Sequence, residues 1–345
     1  MSTLPTDFRY LHGKPNSCAV IRSCPEDFQV VEVLGFEPEG EGEHVFLYIQ
    51  KIGENTDWVA RQLANFAQIS PRDVSYAGKK DRHAVTEQWF CVKFPIKRNL
   101  NWKLFNRDSI KVLKAVRHPR KLRLGTLKGN RFRIRLRGIT DFTDLERRVL
   151  LIKETGVPNY FGEQRFGNDF GNLEKGISLL KGEFQERQKH KKGLYISAVR
   201  SWLFNQLLSM RIEQGLWDTL MQGEALMISG SQSCFVEDVI TDELVQRQST
   251  GQIDLTGPLW GKGDMLASTD AEQWERSQLL AWSEITGLLE KLSLRQERRS
   301  LRLNPKNMVL EKINDTECWL EFELPSGAFA TSVLREMCMT SVSKE

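Results

Sequence analysis

The chain has 345 residues, 40% of them apolar and 27% charged, with a formal net charge of +4. These are the fractions of a soluble globular protein, and the length suggests two domains rather than one core. No apolar run approaches a membrane span, and the opening MSTLPTDFRYLHGKP lacks the basic-then-apolar pattern of a signal segment. A cytoplasmic protein without membrane contact is therefore expected.

Residues 1–50 read as strands joined by turns, with short strand candidates at 19–22, 29–33 and 44–49. Val45, Leu47 and Ile49 alternate in the last of these. The acidic, Gly- and Pro-rich tract GFEPEGEGEH (35–44) is a turn between two of them. Asn55, Thr56 and Asp57 cap a helix through about residue 67, with Trp58, Val59, Leu63 and Phe66 on one face. A short strand at 74–77 then runs into a polar, glycine-hinged loop, and a strand at 89–94 leaves it. The loop carries one carboxylate, Asp81, preceded by Lys79 and Lys80 and followed by Arg82 and His83. Neighbouring positive charge favours the ionised form of a carboxylate. Such a group on a loop over a sheet is suited to act as nucleophile or base. Taken alone, the run also reads as a solvated basic turn with one balancing acid.

Residues 110–116 alternate as a further strand. From Lys111 to Arg137 the chain holds eleven Lys or Arg and no Asp or Glu, which suits a polyanionic partner. Within this segment Arg131, Arg133, Arg135 and Arg137 alternate with Phe132, Ile134 and Leu136. A period of two places the arginines on one face of a strand and the apolar residues on the other, a plausible platform for RNA. Residues 141–155 form an amphipathic helix ended by Gly156. The Gly- and Asn-rich loop GVPNYFGEQRFGNDFGNL (156–173) follows, then a helix at 173–182. The basic tract ERQKHKKG (186–193) precedes a helix at 195–214. Residues 216–265 read as a small β-rich region and 270–296 as helical, and RRSLRLNP (298–305) leads back toward sheet. The chain ends as a strand at 319–324, a PSG turn and a helix at 328–337. The GKG turn after Trp260 is not a phosphate loop, because GxxxxGK[ST] is absent, so no nucleotide cofactor is expected. Six scattered cysteines without a CxxC pair and five histidines without ligand spacing predict no metal and no disulfide framework.

AGKKDRHAVTEQW (77–89) closely resembles the catalytic motif of the TruD family of tRNA pseudouridine synthases. RSCPEDFQVVE (22–32), the Gly129-Asn130-Arg131-Phe132 run, GVPNYFGEQRFGNDFGNL and LPSGAFATSVLRE (324–336) resemble further motifs of that family, in the same order. The resemblance implies an α+β pseudouridine synthase fold. It is built on a mainly antiparallel sheet with helices, at 1–155 plus 305–345, and is interrupted by an inserted α/β TRUD domain at 156–304. It implies isomerisation of uridine to pseudouridine in tRNA, at uridine 13 of the D arm, without a cofactor and with Asp81 as catalytic carboxylate. Attack on the ribose or uracil and proton abstraction both stay open for Asp81. Arg22 would keep Asp81 charged and oriented. Lys80, Asn130, Phe132, Asn159, Arg165 and Phe166 would contribute to substrate binding, Arg165 as a phosphate contact. The family's aromatic stacks on the target base, whereas the alternation of the strand buries Phe132 beside Ile134 and Leu136. Both placements are open. A monomer is expected. The alternative class is a non-catalytic RNA-binding protein that keeps the fold. A nuclease or deaminase would need paired carboxylates on a metal or His/Cys ligands, and neither pattern is visible.

Overall fold

The computed structural model describes residues 4–342. Alternating apolar residues build the first part of the chain into strands β1 (Cys18–Ile21), β2 (Phe28–Val33) and β3 (His44–Ile52). Helix α1 (Thr56–Ala67) follows, and the Asn55 side chain caps it by accepting from the Asp57 amide. Strands β4 (Val74–Tyr76) and β5 (Val85–Lys93) flank the Asp81 loop, and β6 (Ile110–His118) and β7 (Gly129–Leu136) lead to helix α2 (Phe142–Thr155). β5 begins at Val85, four residues before the expected start, because Thr86 and Gln88 are polar but fully buried.

The next stretch is β8 (Val157–Pro158), α3 (Gly171–Leu180), α4 (Lys189–Glu213), β9 (Glu224–Ile228), β10 (Cys234–Glu237), α5 (Asp242–Ser249), β11 (Ile253–Leu259), α6 (Thr269–Gln278), α7 (Ser283–Glu290), β12 (Glu297–Ser300) and β13 (Arg302–Leu303). The Lys189–Lys192 tract, expected ahead of a helix, forms the exposed first turn of α4. The chain closes with β14 (Lys306–Asn314), β15 (Glu317–Pro325), α8 (Ala330–Met337) and β16 (Met339–Val342).

Two compact units result. The first comprises Pro15–Glu154, Pro305–Ala330 and the residues from Met337 on. Its main sheet runs β14-β15-β7-β2-β5-β3-β6, with β4 added on β5. All its pairs are antiparallel except β2 with β5. In the same unit β1 pairs in parallel with β16, Cys18 opposite Met339. Helix α1 packs Val59, Leu63, Ala64 and Ala67 on Leu47, Ile49, Phe90 and Val92 of β3 and β5. The opposite face of the same strands holds Phe46, Trp89 and Cys91 against Leu34, Leu122 and Leu127. Burial on both faces makes this the rigid centre of the unit, with each large apolar side chain contributing about 1.5–3 kcal/mol.

The second unit holds Thr155–Asn304 around an antiparallel sheet, β10-β9-β11-β12, and the long helix α4. The segment ending at Lys14 and residues Thr331–Glu336 group with it, although sequence reading places both with the first unit. The reason is packing. Phe8 stacks on Tyr160 at 5.3 Å, and the Trp202 indole and Gln206 amide donate to Pro5 O. Arg335 lies 3.7 Å from the Tyr10 ring.

Candidate active site

Where β2 and β7 run under the Asp81 loop, the apolar face of the main sheet becomes polar. Register places Phe322, Phe132, Val30, Thr86 and Lys51 in one row across the sheet, and Leu324, Asn130 and Glu32 in the next. Glu32 is buried and does two jobs. Its Oε1 accepts the Trp89 amide (3.2 Å), just past the end of the β2–β5 ladder, and its Oε2 accepts from Lys80 Nζ at 2.5 Å. The Lys80 and Glu32 side chains are 6% and 0% exposed. Removing one partner of such a buried pair costs about 3–5 kcal/mol. Lys80 therefore acts as an internal tether of the loop.

The rest of the loop is pinned almost residue by residue. Gln88 Nε2 donates to Gly78 O (3.2 Å), the Lys80 amide donates to Thr56 Oγ1 (3.1 Å), and Lys51 Nζ donates to Asp81 O (3.1 Å). Lys79 pairs with Asp57 at 2.8 Å, and Arg82 Nε donates to Gly53 O. Each is a net contribution of about 1 kcal/mol, and together they remove the freedom a polar loop would otherwise have. His83 is exposed at the loop's edge.

Asp81 stands on this platform with its side chain 36% exposed, and Arg22 Nη2 donates to its Oδ2 at 2.7 Å. Arg22 was expected inside a strand. Instead β1 ends at Ile21, and Arg22 takes a left-handed φ of 58°. That conformation is costly for a residue with a Cβ. It turns the guanidinium over the Phe28 ring, 4.1 Å from its centroid, and onto Asp81. Phe28 in turn meets Phe132 edge-on at 6.3 Å, and Phe132 stacks on Phe322 at 5.4 Å. Phe132 is 7% exposed and sits in the packed row, as the alternation of β7 implies, on the face that also carries Asn130. The Asn130 Oδ1 is buried and accepts no hydrogen bond among the described residues. Gly129 must be glycine, because a Cβ there would meet Leu324 O at 2.3 Å.

Three of the four arginines expected to form a platform on β7 are neutralised, while Arg131 stays exposed. Arg133 pairs with Glu321 at 2.8 Å, Arg135 with Glu317, and Arg137 with Asp27 at 2.8 Å. Carboxylates of β15 and of the turn before β2 face these arginines across the sheet, so Arg133, Arg135 and Arg137 serve the fold. Further exposed cations lie on the loop between β6 and β7: Arg120, Lys121, Arg123 and Lys128. That loop is tied beside the Asp81 loop by Gly125 N donating to Ala77 O (2.8 Å) and by Ser75 Oγ donating to Leu122 O (2.8 Å).

Asn159, Arg165 and Phe166 belong to the second unit. The Asn159 amide is buried and donates to Ser300 O at 2.8 Å, and its Oδ1 accepts from Arg299. Phe166 is 1% exposed and stacks on Phe170 at 5.7 Å. Both are packed inside the unit and help to hold it together. Arg165 is half-buried, 5.4 Å from the Phe161 ring, with Nη1 donating to Ser197 Oγ at 3.3 Å. Arg299 lies 4.1 Å from the same ring. Burial, with Arg165 nearby, pulls the Arg299 guanidinium down to about 9. Sequence reading missed Arg299, Glu32 and Lys51. Glu32 lies inside the quoted 22–32 motif, and Lys51 continues the apolar alternation of β3 as a charged residue at a buried position.

A carboxylate held by an arginine, on a cross-braced loop over the mainly antiparallel sheet of an α+β fold, is the arrangement these elements build. The chain matches the family model described as tRNA pseudouridine synthase D (TruD) over residues 7–190 and 182–337. It is 46% identical over 328 residues to a tRNA pseudouridine synthase D of Aeromonas salmonicida, covering 95% of this chain and 93% of that protein. It is 45% identical over 332 residues to one of Methylococcus capsulatus, covering 96% and 94%. A Methanosarcina mazei crystal structure titled as a TruD shares the fold, with a TM-score of 0.69 at 23% identity over 98% of this chain and 96% of that one. The protein belongs to the TruD family of tRNA pseudouridine synthases, which are isomerases.

Proposed function

We propose that the protein converts uridine to pseudouridine in transfer RNA, at uridine 13 of the D arm, with Asp81 as the catalytic carboxylate. The observation that carries this reading is the Arg22–Asp81 pair on a loop braced by Lys80, Lys51 and Gln88. The reaction breaks the bond from N1 to the ribose and forms one from C5. The C5 hydrogen leaves as a proton and N1 gains one, so atoms and charge balance without an external group. Asp81 serves this exchange either as nucleophile or as base at C2′ of the ribose, and Arg22 holds its carboxylate in place in both cases. The target base must leave its stack, at a cost of a few kcal/mol. Asn130 Oδ1 offers an acceptor for the uracil imide N–H. Phe132 and Phe28 form the floor on which Arg22 rests. The cations of the β6–β7 loop supply phosphate contacts, and Arg165 is the phosphate contact proposed on the second unit.

The test is tritium release from a C5-labelled tRNA transcript. Wild-type protein is expected to release tritium and to leave pseudouridine at position 13. Asp81→Asn is expected to lose on the order of 10²–10⁴ in rate. Release by both proteins would remove Asp81 from the chemistry, and a product at another position would reassign the target.

A further inference from the structure

One charge lies on the buried face of β3. Val45, Leu47 and Ile49 alternate inward, and the next inward residue is Lys51, which is fully buried. Its ammonium donates to two backbone carbonyls, Glu54 O at 2.8 Å and Asp81 O at 3.1 Å. Among the described residues no carboxylate pairs with it within 4.0 Å. Burial brings this lysine down to about 8, with Asp81 and Glu54 acting to raise it and Lys80 to lower it further. A methionine or leucine would fill the same space without that cost. The fold accepts a desolvated cation here, and one of its two acceptors is the main chain of the reactive aspartate.

Arg22 holds the carboxylate end of Asp81 and Lys51 holds its backbone end. Two fixed points set the direction of a short side chain, where one would leave it free to swing. We infer that Lys51 is a positioning residue for the isomerisation: from beneath the loop, its ammonium fixes the Asp81 peptide so that the carboxylate is presented in a single orientation. The inference rests on Asp81 being the catalytic group.

The test compares single-turnover rates and tRNA affinities of wild type, Lys51→Met and Asp81→Asn, each checked for a cooperative melt. Lys51→Met keeps the length and removes both donors. Its rate is expected to fall about 10- to 100-fold, the usual consequence of a misplacement near 1 Å, with tRNA affinity unchanged. A folded Lys51→Met that turns over at the wild-type rate overturns the inference, as does one whose affinity falls in step with its rate. If Lys51→Met does not melt cooperatively, Lys51→Gln, a neutral residue that keeps a donor, is read by the same two numbers. Activity surviving in Asp81→Asn would remove the assignment of Asp81 and the role of Lys51 with it. Activity lost there but intact in Lys51→Met would remove the role of Lys51 alone.

Discussion

Arg22 shows how a single residue sets stability against chemistry. Its left-handed backbone, at φ 58°, carries strain of about 1–3 kcal/mol. Its cation–π contact with Phe28 and its bond to Asp81 return an amount of the same order. Arg22→Gly relieves the strain and discards both contacts. Its unfolding free energy in urea is therefore expected to stay within about 1 kcal/mol of wild type, while the tritium-release rate falls by at least about 10-fold. A large loss of stability with activity retained would show that the residue serves only the fold. The candidacy of Arg22 came from a motif, and its strain was invisible there, because φ depends on where β1 stops. Lys51 and Glu32 were hidden for a related reason. A charged residue in an alternating strand looks like a misplaced surface residue until the loop above it is known.

At the level of elements, the strands of the main sheet and helix α1 were legible because period-two and period-3.6 patterns have no strong competitor there. The exceptions are informative. β14 (KNMVLEKIN) and β16 (MTSV) are largely exposed, so neither carries a burial pattern to read. The arginine row of β7 was seen, but its acidic partners on β15 depend on register, which local sequence does not set. Helix α2 offers a prediction of its own. Asp141 Oδ1 accepts the Asp144 amide, and Asp144 accepts from the Asn16 amide at 3.0 Å and Arg148 Nε at 3.0 Å, with Arg147 on its other oxygen. Burial alone would raise the Asp144 carboxyl, but these donors outweigh it and hold it at about 2, against an ordinary 3.8. The folded value is depressed, so the contribution, about 2 kcal/mol, is complete above pH 4 and is lost as pH falls through 2. The melting temperature of Asp144→Asn is expected to lie below wild type at pH 6 and to converge on it near pH 2. A constant gap across that range would exclude this origin.

For the molecule as a whole, the second unit is stitched from three separate pieces of chain. Its first piece supplies Phe8 to Tyr160 and the Arg9 amide to Ser209 Oγ at 2.9 Å, and Pro5 O accepts from Trp202 and Gln206. A protein lacking residues 1–14 is therefore expected to become sensitive to protease within 155–304, while the main sheet keeps its protection. Mass mapping of the fragments reads this directly. Equal protection of 155–304 with and without the segment would show that the three pieces are only neighbours. The family resemblance divided the chain at 155 and 304, but local sequence had no means of tracing short terminal segments to their packing partners.

The parallel pairing of β1 with β16 sets a clock on the birth of the enzyme. Arg22 leaves a strand whose parallel partner, with Met339 against Cys18, comes latest in the chain among the described strands. At roughly 5–20 residues per second on a ribosome, β1 waits on the order of half a minute for it. During that interval β1 is held from one side only, where Val20 and Arg137 exchange two backbone hydrogen bonds. Its parallel edge is added only after every strand of the main sheet has been made.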